Sequence, residues 1–106
     1  LSGPMCPRFH VDRIPVRLLT TYAGPGTEWL CDRDVTRERL GPGAAGKPDE
    51  SSGLLRPGAR IRRLPAGAVA LFKGSAWDTG QLGGVVHRSP HAVGGRLLVS
   101  MDPLAA

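Results

Sequence analysis

The chain has 106 residues, 41% hydrophobic and 5% aromatic, with a formal net charge of +5, 15 Gly and 10 Pro. Gly and Pro together reach about twice their usual share without a collagen-type period, which disfavours long helices, and the length suits one small domain or part of a larger one. No apolar run approaches the roughly 18 residues that cross a bilayer as a helix, and Cys6 and Cys31 allow at most one disulfide.

Apolar residues come in short runs parted by turn formers, as in all-β proteins. Phe9 and Val11 flank His10 in a first short strand, and residues 16–22 make a β-branched second strand ending in Tyr22. Residues 23–26, Ala-Gly-Pro-Gly, read as a turn, and residues 27–30 start a third strand. In residues 31–40 charges alternate and a helical turn is expected. Residues 41–53 are rich in Gly, Pro and Ser and read as a mobile loop that carries no core residue. Beyond it lie a short strand around Ile61, a Pro-Ala-Gly turn at 65–67 and an apolar strand at 68–72. A polar loop surrounds Trp77, followed by a strand at 84–90 that Pro90 brakes and a last strand at 95–101.

His10-Val11-Asp12 is the sharpest chemical feature. Residues two apart on a strand point to the same face, so His10 and Asp12 can reach one ion together. A third ligand must come from elsewhere, and His87, at the end of an apolar strand, is placed as an interior ligand would be. Two imidazoles and one carboxylate form the facial triad of non-haem Fe(II) oxygenases, which leaves positions open for a keto acid and oxygen. Arg96, nine residues after His87, can hold the far carboxylate of a dicarboxylic keto acid by a bidentate ion pair. Tyr22 can add a phenolic hydrogen bond to that carboxylate, although an aromatic side chain with its hydroxyl at the rim explains it equally well.

Other residues have blander readings beside the interesting ones. Glu28 suits a partner that orients a metal-bound imidazole. Arg88 and Ser89 either face the substrate mouth or run into solvent, and Trp29 and Trp77 either line a pocket or pack in the core. Cys6 reads as a small buried residue and Cys31 as chemically silent. Pro90 breaks the helix that a His87, His91 pair would need, which leaves His91 exposed. The charge rests on 12 Arg and 2 Lys, a bias that a GC-rich coding sequence also produces. Arg60, Arg62 and Arg63 lack interleaved aromatics, so nucleic acid is not the expected partner.

Taken in order, the His-x-Asp triplet, the Tyr-ended strand, the Gly-Thr-Glu turn, the Pro-x-Gly turn before an apolar strand, then His and a downstream Arg resemble the core of Fe(II)/2-oxoglutarate-dependent dioxygenases. More closely, CPRFHVDRIPVRLLTTYAGPGTEWL, GAVALFKGSAW, VHRSP and RLLVSMDP resemble a bacterial family, domain of unknown function 1826, over nearly the whole chain apart from residues 32–56. The resemblance implies a mostly β, double-stranded β-helix fold of the jelly-roll or cupin-like kind. Residues 1–106 would be a single truncated C-terminal core with a flexible loop at about 32–56, lacking a further N-terminal region that family members generally carry. It also implies that His10, Asp12 and His87 hold Fe(II) and that Arg96, with Tyr22, binds 2-oxoglutarate as co-substrate. The expected activity is oxidation of an unidentified substrate with decarboxylation of 2-oxoglutarate, in the cytoplasm. One departure stands out: many members of the superfamily place Ser or Thr two residues after the arginine, where this chain has Leu98.

A second reading is a non-catalytic cupin-like module that binds a metal or small anion, which would consume no keto acid. A third is a basic RNA- or DNA-binding domain, which would lose affinity steeply with salt. An open sheet edge in a truncated barrel would also invite self-association.

Overall fold

The computed structural model describes residues 7–76, 83–90 and 97–102. They form a mostly β structure of two small antiparallel sheets, with three short 3-10 turns in residues 32–44. The strands are β1 (Val16–Ala23), β2 (Glu28–Leu30), β3 (Arg62–Arg63), β4 (Val69–Lys73), β5 (Val86–Arg88) and β6 (Leu97–Met101). One sheet has the order β4-β1-β6 and the other β3-β2-β5. The chain thus passes from one sheet to the other after β1, returns at β4, and crosses twice more to reach β5 and β6.

β-Branched and leucine side chains make β1 the central strand of its sheet, with Leu18 opposite Leu71 on one side and Met101 on the other. The first short strand expected around His10 pairs with β5 only through a bridge between His10 and His87. The strand expected around Ile61 is the two-residue β3, that expected at 84–90 shortens to β5, and the described part of that expected at 95–101 is β6. The helical turn expected in residues 31–40 is two 3-10 turns, Asp32–Asp34 and Arg37–Arg39.

The apolar cluster of Phe9, Leu30, Val35, Leu54 and Val86 lies beside the second sheet, with Val11, Leu40 and Leu55 packed against it. The expectation that residues 41–53 carry no core residue is corrected: Ala44, Asp49 and Ser52 are all buried. This stretch folds through the 3-10 turn Gly41–Ala44 and then a tight turn, because polar side chains supply the bonds that apolar ones do not. Ser52 Oγ donates to the Asp49 carbonyl at 3.3 Å and accepts the Leu54 N–H at 3.2 Å. No helix among the described residues is long and apolar enough to cross a membrane.

Candidate metal centre

Two separate pieces of chain bring the site together. The amide of His10 donates to the carbonyl of His87 at 2.9 Å and the amide of His87 returns the bond at 3.0 Å, so the two residues form a directly opposed antiparallel pair. Their side chains share a face, and the rings lie 4.5 Å apart between centroids. Asp12, two residues on, presents its carboxylate to both. His10 Nε2 is 3.4 Å from Asp12 Oδ1 and His87 Nε2 is 3.3 Å from Oδ2. One donor atom from each of these residues lies within 4.8 Å of the others.

The tautomers follow from the partners. His10 Nδ1 lies 2.8 Å from the Arg8 carbonyl and His87 Nδ1 2.9 Å from the Val85 carbonyl. A carbonyl can only accept, so each Nδ1 carries a hydrogen, and the neutral form of either ring has its Nε2 lone pair facing Asp12. That is the second contact by which proteins orient metal-bound histidine.

The spacing points the same way. A charge-assisted N–H to carboxylate bond closes to about 2.7–2.9 Å, and these gaps are longer. Asp12 Oδ2 is buried and makes no hydrogen bond, although His87 Nε2 is near enough to pair with it electrostatically. Two donors each about 2.1 Å from one ion stand about 3.0 Å apart at a right angle and about 3.4 Å apart at the tetrahedral angle. The donor set and its orphaned oxygen therefore fit a divalent cation.

The electrostatics are those of an ionised carboxylate between imidazoles. In their protonated form the imidazoles of His10 and then His87 hold the Asp12 carboxyl well below the usual carboxylate range, against the opposing effect of burial. Asp12 in turn raises His10, which burial would lower, and the Arg8 carbonyl adds to the rise. Phe72 packs on His87 at 4.9 Å between ring centroids and helps to leave that side chain only 7% exposed.

The site opens into a cleft between the sheets holding about 400 Å³ of space, its open mouth included. Arg17 and Leu19 of β1, Leu98 and Ser100 of β6, and the hydroxyl residues Thr27 and Ser89 line it with the two histidines. Sequence reasoning passed over Arg17, whose only advance signal is that it alternates with Leu19 on one face of β1. Its Nη1 is 3.3 Å from Asp12 Oδ1, while Nε and Nη2 hold the two carboxylate oxygens of Asp102 at 2.7 and 3.0 Å. Arg17 so steadies the outer oxygen of the triad carboxylate and ties β1 to the end of β6.

His10, Asp12 and His87 are brought together; Tyr22 is not placed with them. Tyr22 is 66% exposed, lies at a register irregularity of β1 and does not line the cleft. Alternation from Arg17 and Leu19 puts it on the opposite face. Arg96 lies outside the described residues, as do Cys6, Trp77 and His91. Glu28, expected to orient an imidazole, instead accepts from Arg63 and Arg88 at 2.7 Å each, because backbone carbonyls already serve both rings. Ser89 lines the cleft, whereas Arg88 turns away from it to Glu28, Asp49 and Glu50. Trp29 is half-buried under the Arg62 guanidinium, 5.6 Å from the ring centroid, and Cys31 is a free thiol.

No curated protein matches the chain, and no solved structure does. The family model described as "Protein of unknown function (DUF1826)" matches residues 1–102, and since that is nearly the whole sequence, the chain belongs to this family.

Proposed function

We propose that the chain is a non-haem Fe(II)/2-oxoglutarate-dependent dioxygenase-like protein built on a double-stranded β-helix core. The observation that carries this reading is the pair of imidazoles with Nδ1 tied to carbonyls and Nε2 turned toward a carboxylate oxygen without a hydrogen bond. The passage of the chain back and forth between two antiparallel sheets with a cleft between them supports the jelly-roll reading. His10, Asp12 and His87 would hold the iron, and Arg96 would anchor the distal carboxylate of the keto acid. A metal held there would supply redox chemistry with oxygen and a keto acid, one oxygen atom going to the substrate and the other to the succinate left when 2-oxoglutarate loses carbon dioxide. The chain's own part is to orient the ligands, exclude water with Leu19 and Phe72, and hold anions with its guanidinium groups. A cytoplasmic setting would keep the iron reduced.

Leu98 favours a second reading, the non-catalytic metal- or anion-binding module, because it lines the cleft with an apolar side chain where many dioxygenases offer the keto acid a hydroxyl. Anaerobic Fe(II) titration with and without 2-oxoglutarate separates the two. The dioxygenase reading expects a weak visible charge-transfer band when both are present, its loss in His87→Ala, and consumption of the keto acid once oxygen is admitted. A band that persists unchanged in His87→Ala rules out the ligand set; metal binding with no keto acid consumed establishes the module.

A further inference from the structure

We infer that Asp49 is the positioning residue that sets the two imidazoles against each other, so that the turn at residues 48–53 belongs to the metal centre although it contributes no ligand. The inference rests on the metal-centre reading only for the ion itself; the juxtaposition is a property of the chain.

The pairing of residues 7–12 with β5 is a single bridge, His10 with His87, closed by two hydrogen bonds. One bridge leaves an extended segment free to pivot. In an antiparallel pair the residues next to a hydrogen-bonded pair turn their amides outward, so Phe9 N–H faces away from β5 and needs another acceptor. Asp49 Oδ2 provides it at 3.0 Å. The same oxygen accepts from Arg88 Nη1 at 2.9 Å. Phe9 precedes His10 and Arg88 follows His87, so one carboxylate oxygen grips the flanks of both ligands from outside the pair. The Arg88 guanidinium also lies over the Phe9 ring, 4.1 Å from its centroid, which closes the same gap with a cation–π contact.

The grip is rigid because Asp49 is itself fixed. It is buried at 6% exposure, its carbonyl takes the Ser52 hydroxyl, and Leu54, at 1% exposure, pins the end of the turn in the apolar core. Glu28 holds Arg88 from the opposite side through Nε at 2.7 Å, so the guanidinium is stretched between β2 and the turn. Glu50 also accepts from Nη1 at 2.9 Å but is exposed and touches neither Phe9 nor His10 in any of these bonds, which makes it the natural control.

The test compares Asp49→Ala, Asp49→Asn and Glu50→Gln in the full chain by amide hydrogen exchange and by Co(II) titration read from its visible d–d spectrum. In Asp49→Ala, exchange at the His10 and His87 amides is expected to speed up about tenfold or more, while amides of β1 and β4 change by less than about twofold. Co(II) affinity is expected to fall about ten- to a hundredfold, with an altered band shape. Asp49→Asn keeps an acceptor for Phe9 and should recover most of the protection, which also serves if the alanine variant does not fold. Glu50→Gln should leave both readouts as in the unsubstituted chain. Unchanged exchange at His10 and His87, or an equal rise at every amide, overturns the inference. Failure of the unsubstituted chain to take up Co(II) overturns the metal reading alone, because exchange still decides the role of Asp49.

Discussion

Glu28 joins two guanidinium groups, Arg63 and Arg88, that would repel each other without it. Burial by itself would raise its carboxyl, but the two guanidinium partners outweigh burial and hold it below the ordinary glutamate value. A carboxyl lowered in the folded state contributes stability above its unfolded value and loses it as pH falls through the folded value. Glu28→Gln is therefore expected to lower stability by about 2 kcal/mol near neutral pH and to cost progressively less through the acid range below the ordinary glutamate value. Urea unfolding across that range checks it; a difference that does not shrink on acidification removes Glu28 as a stabilising anion. At this scale the triad was legible, since His10 and Asp12 are two apart on an extended segment and His87 ends an apolar run. Their orienting partners were not, because the Arg8 and Val85 carbonyls are backbone groups, and any residue type would supply them.

Between elements, the turn at residues 12–15 is held by the end of β4. The Asp12 carbonyl accepts from Ser75 at 2.8 Å and the Pro15 carbonyl from Gly74 at 2.8 Å. A Cβ on Gly74 would run into the carbonyl oxygen of Ile14, so only glycine permits this approach. Gly74→Ala is expected to destabilise the fold by about 1–3 kcal/mol and to weaken metal binding by displacing Asp12. Calorimetric unfolding and Zn(II) titration check the two effects, and an unchanged Zn(II) affinity would free Asp12 from dependence on this contact. β1 was legible from its branched residues and β4 from its apolar run. Residues 41–53 were not: their Gly, Pro and Ser content reads as solvent-exposed loop, yet Asp49 is buried by bonds to Phe9 and Arg88, 40 and 39 residues away, which composition does not encode. Tyr22 shows the converse, since a strand-ending aromatic suggests a pocket and the sheet turns it to solvent.

For the molecule as a whole, the described core is small and draws on the loop as much as on the sheets. Leu54 sits at 1% exposure within the cluster that backs the His10 segment and β5. Leu54→Ala is expected to cost about 3 kcal/mol, a large part of the stability of a chain this short, and guanidinium unfolding measures it. A cost below about 1 kcal/mol would mean that the loop does not complete the core. The sequence by itself determined a β-rich chain of short strands and the membership of His10, Asp12 and His87 in one candidate site, because strand alternation and residue chemistry are local properties. Only the tertiary structure decided which groups orient those ligands, that Arg17 and Asp49 brace them, and that Tyr22 stands apart. The bracing by Arg17 and Asp49 depends on which distant groups the two sheets and the 41–53 turn carry into contact, and contact across 40 to 85 residues leaves no periodic trace in the chain.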